Sequence, residues 1–132
     1  MGIHVEHRPK DKILSEARGL WPFKKIVVGA DFARLEPRCQ GAALLHEVGH
    51  VKLFHLEKRI AFAILNFWRP AAIARYCREQ EFQADAFAAG CGYGLDLALL
   101  FARLNEQSDP FHPSVRERIE RLTRTLAGMS RC

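Results

Sequence analysis

Within the apolar stretch of residues 41–55, the run His46-Glu47-Val48-Gly49-His50 constrains this chain more than any other feature. The stretch predicts a helix. On a helix, two histidines four apart project from one face, one turn above the other, so both imidazoles reach a single metal ion. Glu47 is offset from His46 by about 100°. It stands beside the ion rather than on it, where a carboxylate takes a proton from water. Two imidazoles do not complete a catalytic zinc site, which has three protein ligands and one open position. The helix must therefore pack against a second element that brings a third ligand.

Residues 79–88, Glu-Gln-Glu-Phe-Gln-Ala-Asp-Ala-Phe-Ala, fit that second element. Phe82, Ala86 and Ala89 recur at helical spacing on an apolar face, while Glu81 and Asp85 share a neighbouring face four residues apart. Carboxylates at that spacing repel each other, and on a buried face they need a cation or a proton. Zinc held by two imidazoles supplies the compensation. Glu81 then binds the ion, and Asp85 accepts a hydrogen bond from the far nitrogen of a ligand histidine. The competing account is a solvated acidic face balanced by Arg75 and Arg78.

Taken in order, HEVGHVKLFH, EFQADAFA and HPSVRERI resemble the motif set of gluzincin metallopeptidases of the CAAX-prenyl-protease and HtpX type. The likeness spans residues 41–122. Without that family's membrane helices, the short chain is similar to the small stand-alone members, the minigluzincins. The resemblance implies a zincin-like fold with one zinc ion held by His46, His50 and Glu81, and Glu47 as general base and acid. It implies a supporting place for Asp85 and Arg118, and a hydrogen bond from His112 to the oxyanion. It further implies an edge strand above the motif helix that takes substrate by β-augmentation, through main-chain hydrogen bonds. Ile26, Val27, Val28 and Gly29 are the candidate strand. His55 falls where many members of that family carry a histidine; a surface histidine complementing the dipole at the helix end accounts for it.

Peptide hydrolysis needs an activated water, a polarised carbonyl and a proton for the leaving amine. These residues meet that list, and an oxyanion donor such as His112 is worth roughly 3 kcal/mol. The function expected is therefore a zinc-dependent endopeptidase acting on a peptide or an unfolded protein, held latent by residues 127–132. The alternative is a zinc-bound regulatory or partner-binding module with little peptidase activity.

A chain of 132 residues with 48% hydrophobic content forms one domain (1–132) with a proper core, so zinc serves chemistry rather than rescuing the fold. The net charge of +5 invites a nucleic-acid reading. However, Glu117–Arg121 and Glu120–Arg124 are i,i+4 pairs of a solvated helix face, and no basic, aromatic-rich strand appears. Nucleic acid is not expected as a partner. A basic surface does suit acidic substrates or an anionic membrane face. The four cysteines include no CxxC, which fits a reducing, cytoplasmic location, with Cys77 and Cys91 as core thiols. No targeting segment is evident. The apolar run 60–74 is interrupted by Asn66, Arg69 and Pro70 and is too short to span a bilayer. Core packing is expected of it, with peripheral membrane contact as the other use.

The remaining periodicity predicts strands over 3–7 and 25–29. Helices are predicted over 12–18, 41–55, 59–68, 71–89, 95–106 and 114–126. Gly90, Gly92 and Gly94 are expected to stop the glutamate helix. The fold class is a mostly helical α+β domain with a small sheet ahead of the motif helix.

Overall fold

Three consecutive β-branched residues, Ile26-Val27-Val28, form the centre of the sheet in the computed structural model, which describes residues 2–104 and 109–129. They belong to strand β3 (Lys25–Gly29), which pairs in parallel with β1 (His4–Arg8) and antiparallel with β2 (Ser15–Arg18), in the order β1-β3-β2. The register runs from Val5 opposite Ile26 on one side to Ala17 opposite Ile26 on the other. With both edges paired and all three β-branched side chains buried, β3 is the sheet's middle strand. The expectation that Ile26 to Gly29 offer a free edge is therefore corrected. The antiparallel edge belongs to β2.

The helix expected over 12–18 is also absent; residues 15–18 are the strand β2. A seven-residue helix is marginal by itself. Here the backbone of Ser15 to Arg18 gains a strand partner in β3, and that pairing overrides local propensity. Gly19, at φ +83, turns the chain back towards β3.

A short helix α1 (Ala30–Ala33) leads to the motif helix α2 (Pro37–Lys52), which starts on a proline at its first turn. It begins four residues earlier than expected and does not reach His55. Leu53 ends it, and Phe54 adopts the left-handed conformation (φ 56), so that His55 opens a separate helix α3 (His55–Leu65). Helix α4 (Pro70–Ala88) crosses α2 closely: a Cβ added at Gly49 would lie 3.2 Å from the Ala84 Cα. The glycines after Ala88 end this helix, as expected. A π-helical turn (Ala89–Tyr93) with Gly92 at φ +89 kinks the chain into a separate helix, α5 (Gly94–Arg103). The predicted end of α5 at Glu106 lies outside the described residues. Helix α6 (Val115–Met129) completes the fold; of the tail 127–132, the first three residues are its last turn and 130–132 lie outside the described residues.

The core forms where β3, α2, α5 and α6 meet, around Ile26, Val28, Ala42, Leu97, Leu100 and Leu122. The stretch from Pro70 to Arg103 is long and apolar enough to cross a bilayer by composition alone. Ala84, Ala88, Leu97, Leu100 and Phe101 spend that apolarity on the core. Two expectations about burial fail. Ile60, Ile64, Leu65, Phe67 and Trp68 stand exposed instead of packing inward, and Cys91 is exposed while Cys77 is buried.

Candidate metal centre

The close crossing of α2 and α4 at Gly49 and Ala84 aims one face of each helix at the other. His46 and His50 from α2 meet Glu81 from α4, all three buried. His46 Nε2 lies 3.1 Å from His50 Nε2 and 3.3 Å from Glu81 Oε2; His50 Nε2 lies 3.3 Å from Glu81 Oε1. Tetrahedral zinc bonds of about 2.0–2.1 Å put neighbouring donor atoms about 3.3 Å apart. The two imidazole nitrogens are spaced close to that, and each has one oxygen of the Glu81 carboxylate at 3.3 Å; two imidazoles and one carboxylate so gathered are a donor set that fits a zinc ion.

Asp85, one turn beyond Glu81, accepts a hydrogen bond at 2.8 Å from His46 Nδ1. That bond keeps the proton on Nδ1 and leaves the Nε2 lone pair for a metal. Arg118 of α6 clamps Asp85 from the other side, donating from Nε to Oδ2 at 2.9 Å and from Nη2 to Oδ1 at 2.7 Å. Its guanidinium also reaches 3.6 Å from Glu81 Oε2 and lies over the Phe101 ring. Burial alone would drive the His46 proton off. The bonds to Asp85 and Glu81 outweigh it and raise the pKa to about 10. Burial likewise opposes the charges of Glu81 and Asp85, but His46 and His50 hold Glu81, and Arg118 and His46 hold Asp85, below the ordinary carboxylate range. In the metal-free cluster a proton on His46 thus stands where a cation would balance two acids.

His50 has its own support. His50 Nδ1 lies 2.8 Å from His55 Nδ1, and His55 Nε2 lies 3.0 Å from Gln83 Oε1. The amide oxygen can only accept, so His55 donates from Nε2. Its Nδ1 is then an acceptor, and His50 must donate from Nδ1, leaving Nε2 bare towards the metal position. His55 is fully buried, and burial above all lowers its pKa to about 4, which keeps it neutral. The surface, dipole-complementing histidine expected at this position is corrected on both counts: His55 is internal and begins a helix. Five residues past His50 on an unbroken helix it would point about 140° away. Only the left-handed residue Phe54 brings it back.

Glu47 occupies the cleft side of α2. Its Oε2 accepts from the Ala17 backbone N–H at 2.9 Å and its Oε1 from the Ser15 hydroxyl at 3.1 Å. In an antiparallel pair, alternate residues turn their backbone groups away from the partner strand. Ser15 and Ala17 are the outward pair, so the free edge of β2 faces the motif helix. Neither residue carried a sequence signal, because the strand itself was hidden. A cleft of about 560 Å³ runs between β2, α2 and α5, lined among others by Ser15, Ala17, Glu47, Leu100 and Arg118. His112 lines the same cleft from the segment before α6. It is exposed and tied through Nδ1 to Asp109 (2.9 Å), and the Asp109 carboxylate also accepts the backbone N–H groups of Phe111 and His112. Asp109, Gln83 and Arg59, which sits 3.9 Å from Glu81, were not singled out from sequence.

Compared with known proteins, residues 58–126 match the model of Peptidase family M48. That is just over half of the chain. The match includes Glu81, Asp85, His112 and Arg118 and begins after the histidine pair. No curated protein matches the chain.

Proposed function

The chain belongs to peptidase family M48, and from that premise we propose that it is a zinc-dependent endopeptidase in which Glu47 serves as general base and then acid. The family carries zinc metallopeptidase activity on peptide or protein substrates. The observation that supports the finer reading is the convergence of His46, His50 and Glu81 on one point beside Glu47, at the floor of an open cleft. A single zinc ion takes those three ligands.

Bound there, zinc lowers the pKa of a water towards about 7 and polarises a carbonyl. Glu47 accepts the proton of the attacking water and passes it to the departing amine. Asp85 and His55 hold the two ligand imidazoles in the tautomers that leave both Nε2 atoms free. His112 lines the cleft with Nδ1 committed to Asp109, which leaves Nε2 as the ring nitrogen for the oxyanion; a proton there would be donated to it. The substrate strand lies along β2. Its main chain takes the outward groups of Ser15 and Ala17, and the Glu47 carboxylate leaves Ala17 as the carbonyl of the incoming chain arrives.

Glu47→Gln separates this proposal from a zinc-bound module that only binds a partner. The variant retains one zinc per chain and loses at least about a thousandfold in turnover of unfolded casein. Unchanged turnover removes Glu47 as the base, and absence of cleavage by both the zinc-loaded full chain and one trimmed of residues 127–132, the tail expected to hold it latent, removes the peptidase reading itself.

A further inference from the structure

The outer face of α3 is the least expected surface of this molecule. Among the described residues, nine of the thirteen large apolar side chains that stand exposed lie in 20–23 and 54–68. Trp21 is 66% exposed, Phe23 83%, Phe67 76% and Trp68 64%. Both tryptophans of the chain are therefore here. Exposed aromatics on this scale are not the dispersed surface apolars of an ordinary soluble face.

Three contacts make the two segments one surface. The Trp21 backbone N–H donates to Glu57 at 2.8 Å, the Lys24 ammonium pairs with the same carboxylate at 2.9 Å, and that ammonium lies 3.6 Å from the Phe54 ring centre. The loop 20–24 is thereby fixed to the first turns of α3. Ile60 and Ile64 then follow at a four-residue step along the helix with Leu65 beside them, and Phe67 and Trp68 extend the apolar surface just past its end. Phe67 and Trp68 pack edge to face at the far end. The helix thus carries its apolar stripe outward, towards solvent.

Charge decides what covers it. Between Lys52 and Arg78 the sequence holds six cations and one carboxylate, Glu57, which Lys24 already neutralises. Lys52, Lys58 and Arg69 are exposed, with no ion-pair partner among the described residues. A symmetric contact with a second copy would set this face against itself and bring cations onto cations. An anionic lipid surface takes both components: acyl chains receive the aliphatic and aromatic side chains, and headgroups receive the cations. Tryptophan is the side chain best suited to that boundary.

We propose that the face formed by loop 20–24 and the outer side of α3 docks on an anionic membrane surface. Leu56 and Arg59, on the inner side of the same helix, line the cleft. Docking on the outer side therefore holds α3 between the bilayer and the cleft. The docking itself does not depend on peptidase activity, so it stands or falls separately from it.

The tryptophans report on it directly. The full chain is titrated with vesicles of phosphatidylcholine alone and with one-third phosphatidylserine, following tryptophan emission and co-sedimentation. With anionic vesicles the emission shifts to the blue and the protein sediments with lipid, and salt reverses both. Trp21→Phe and Trp68→Phe, each leaving one reporter, both retain the shift. Lys58→Glu with Arg69→Glu weakens binding by about tenfold or more, and Ile64→Ser with Phe67→Ser weakens it at unchanged circular dichroism. No shift and no co-sedimentation overturns the proposal. Equal binding to uncharged vesicles overturns the commitment to anionic lipid. Blue-shifted emission without lipid, at concentrations where the chain sediments as a dimer, assigns the face to self-association instead.

Discussion

His55 acts at one remove from the metal position. Its Nδ1 accepts from His50 while Gln83 takes its other proton, so a single buried ring sets which nitrogen of His50 is bare. Supporting partners of this kind contribute about ten- to a hundredfold to metal affinity. His55→Leu keeps the volume and removes the acceptor. Zinc affinity, read by competition with a chelating dye, drops by that order. His55→Asn, which restores an oxygen near the position of Nδ1, recovers part of it. Equal affinity in the leucine variant rules out the orienting role. Reading His55 correctly from sequence was not possible, because its direction depends on one left-handed residue, Phe54, that carries no glycine or asparagine to mark it.

At the scale of elements, the site depends on how closely α2 and α4 approach. Gly49 sits in the crossing, where a Cβ would lie 3.1 Å from Phe87 Cβ and 3.2 Å from Ala84 Cα. Gly49→Ala gains about 1 kcal/mol of helix propensity. Against that, overpacking between two helices costs about 1–3 kcal/mol. Both neighbouring contacts involve backbone or near-backbone atoms, so the overpacking dominates. Denaturant titration of the variant shows a lower midpoint, and the widened crossing weakens zinc binding severalfold. A variant at least as stable with unchanged zinc affinity refutes the crossing as the device that sets the ligand spacing.

What could be read from the chain follows the same division. The histidine pair, Glu81 and Asp85 were legible because helical spacing fixes the face on which each side chain lies, and burying two acids needs a cation. Strand β3 was legible from its β-branched run. Strand β2 was not, since Ser-Glu-Ala-Arg has no strand pattern and becomes a strand only by pairing with β3. With β2 hidden, its neighbour was mistaken for the edge. The glycines after Ala88 were legible as the end of the glutamate helix: Gly92 takes a positive φ at a kink, and α5 starts as a separate helix.

Over the whole molecule, the acidity of the cluster couples metal binding to stability. The His46 pKa, raised to about 10 in the metal-free fold, exceeds the ordinary value of 6.5. Between those values the folded chain holds a proton that the unfolded chain lacks, so stability falls as pH rises. That contribution is complete below about 6.5 and gone above about 10. Glu81 and Asp85, both lowered, act in the opposite sense: their contribution is present at neutral pH and lost as the solution is acidified through the carboxylate range. The metal-free protein therefore loses melting temperature between pH 7 and 10. With zinc the slope flattens, because His46 no longer has that proton to release. A flat metal-free profile over that interval contradicts the assigned role of the His46 proton.

One carboxylate joins the floor of the cleft to its wall, through Ser15 and Ala17. If Glu47 is the base proposed above, an amino-acid ester or a dipeptide, too short to run beside β2, would leave that latch fastened, whereas a longer polymer would open it by lying down. Chain length rather than side-chain composition would then select what is cut, and small fragments would be spared.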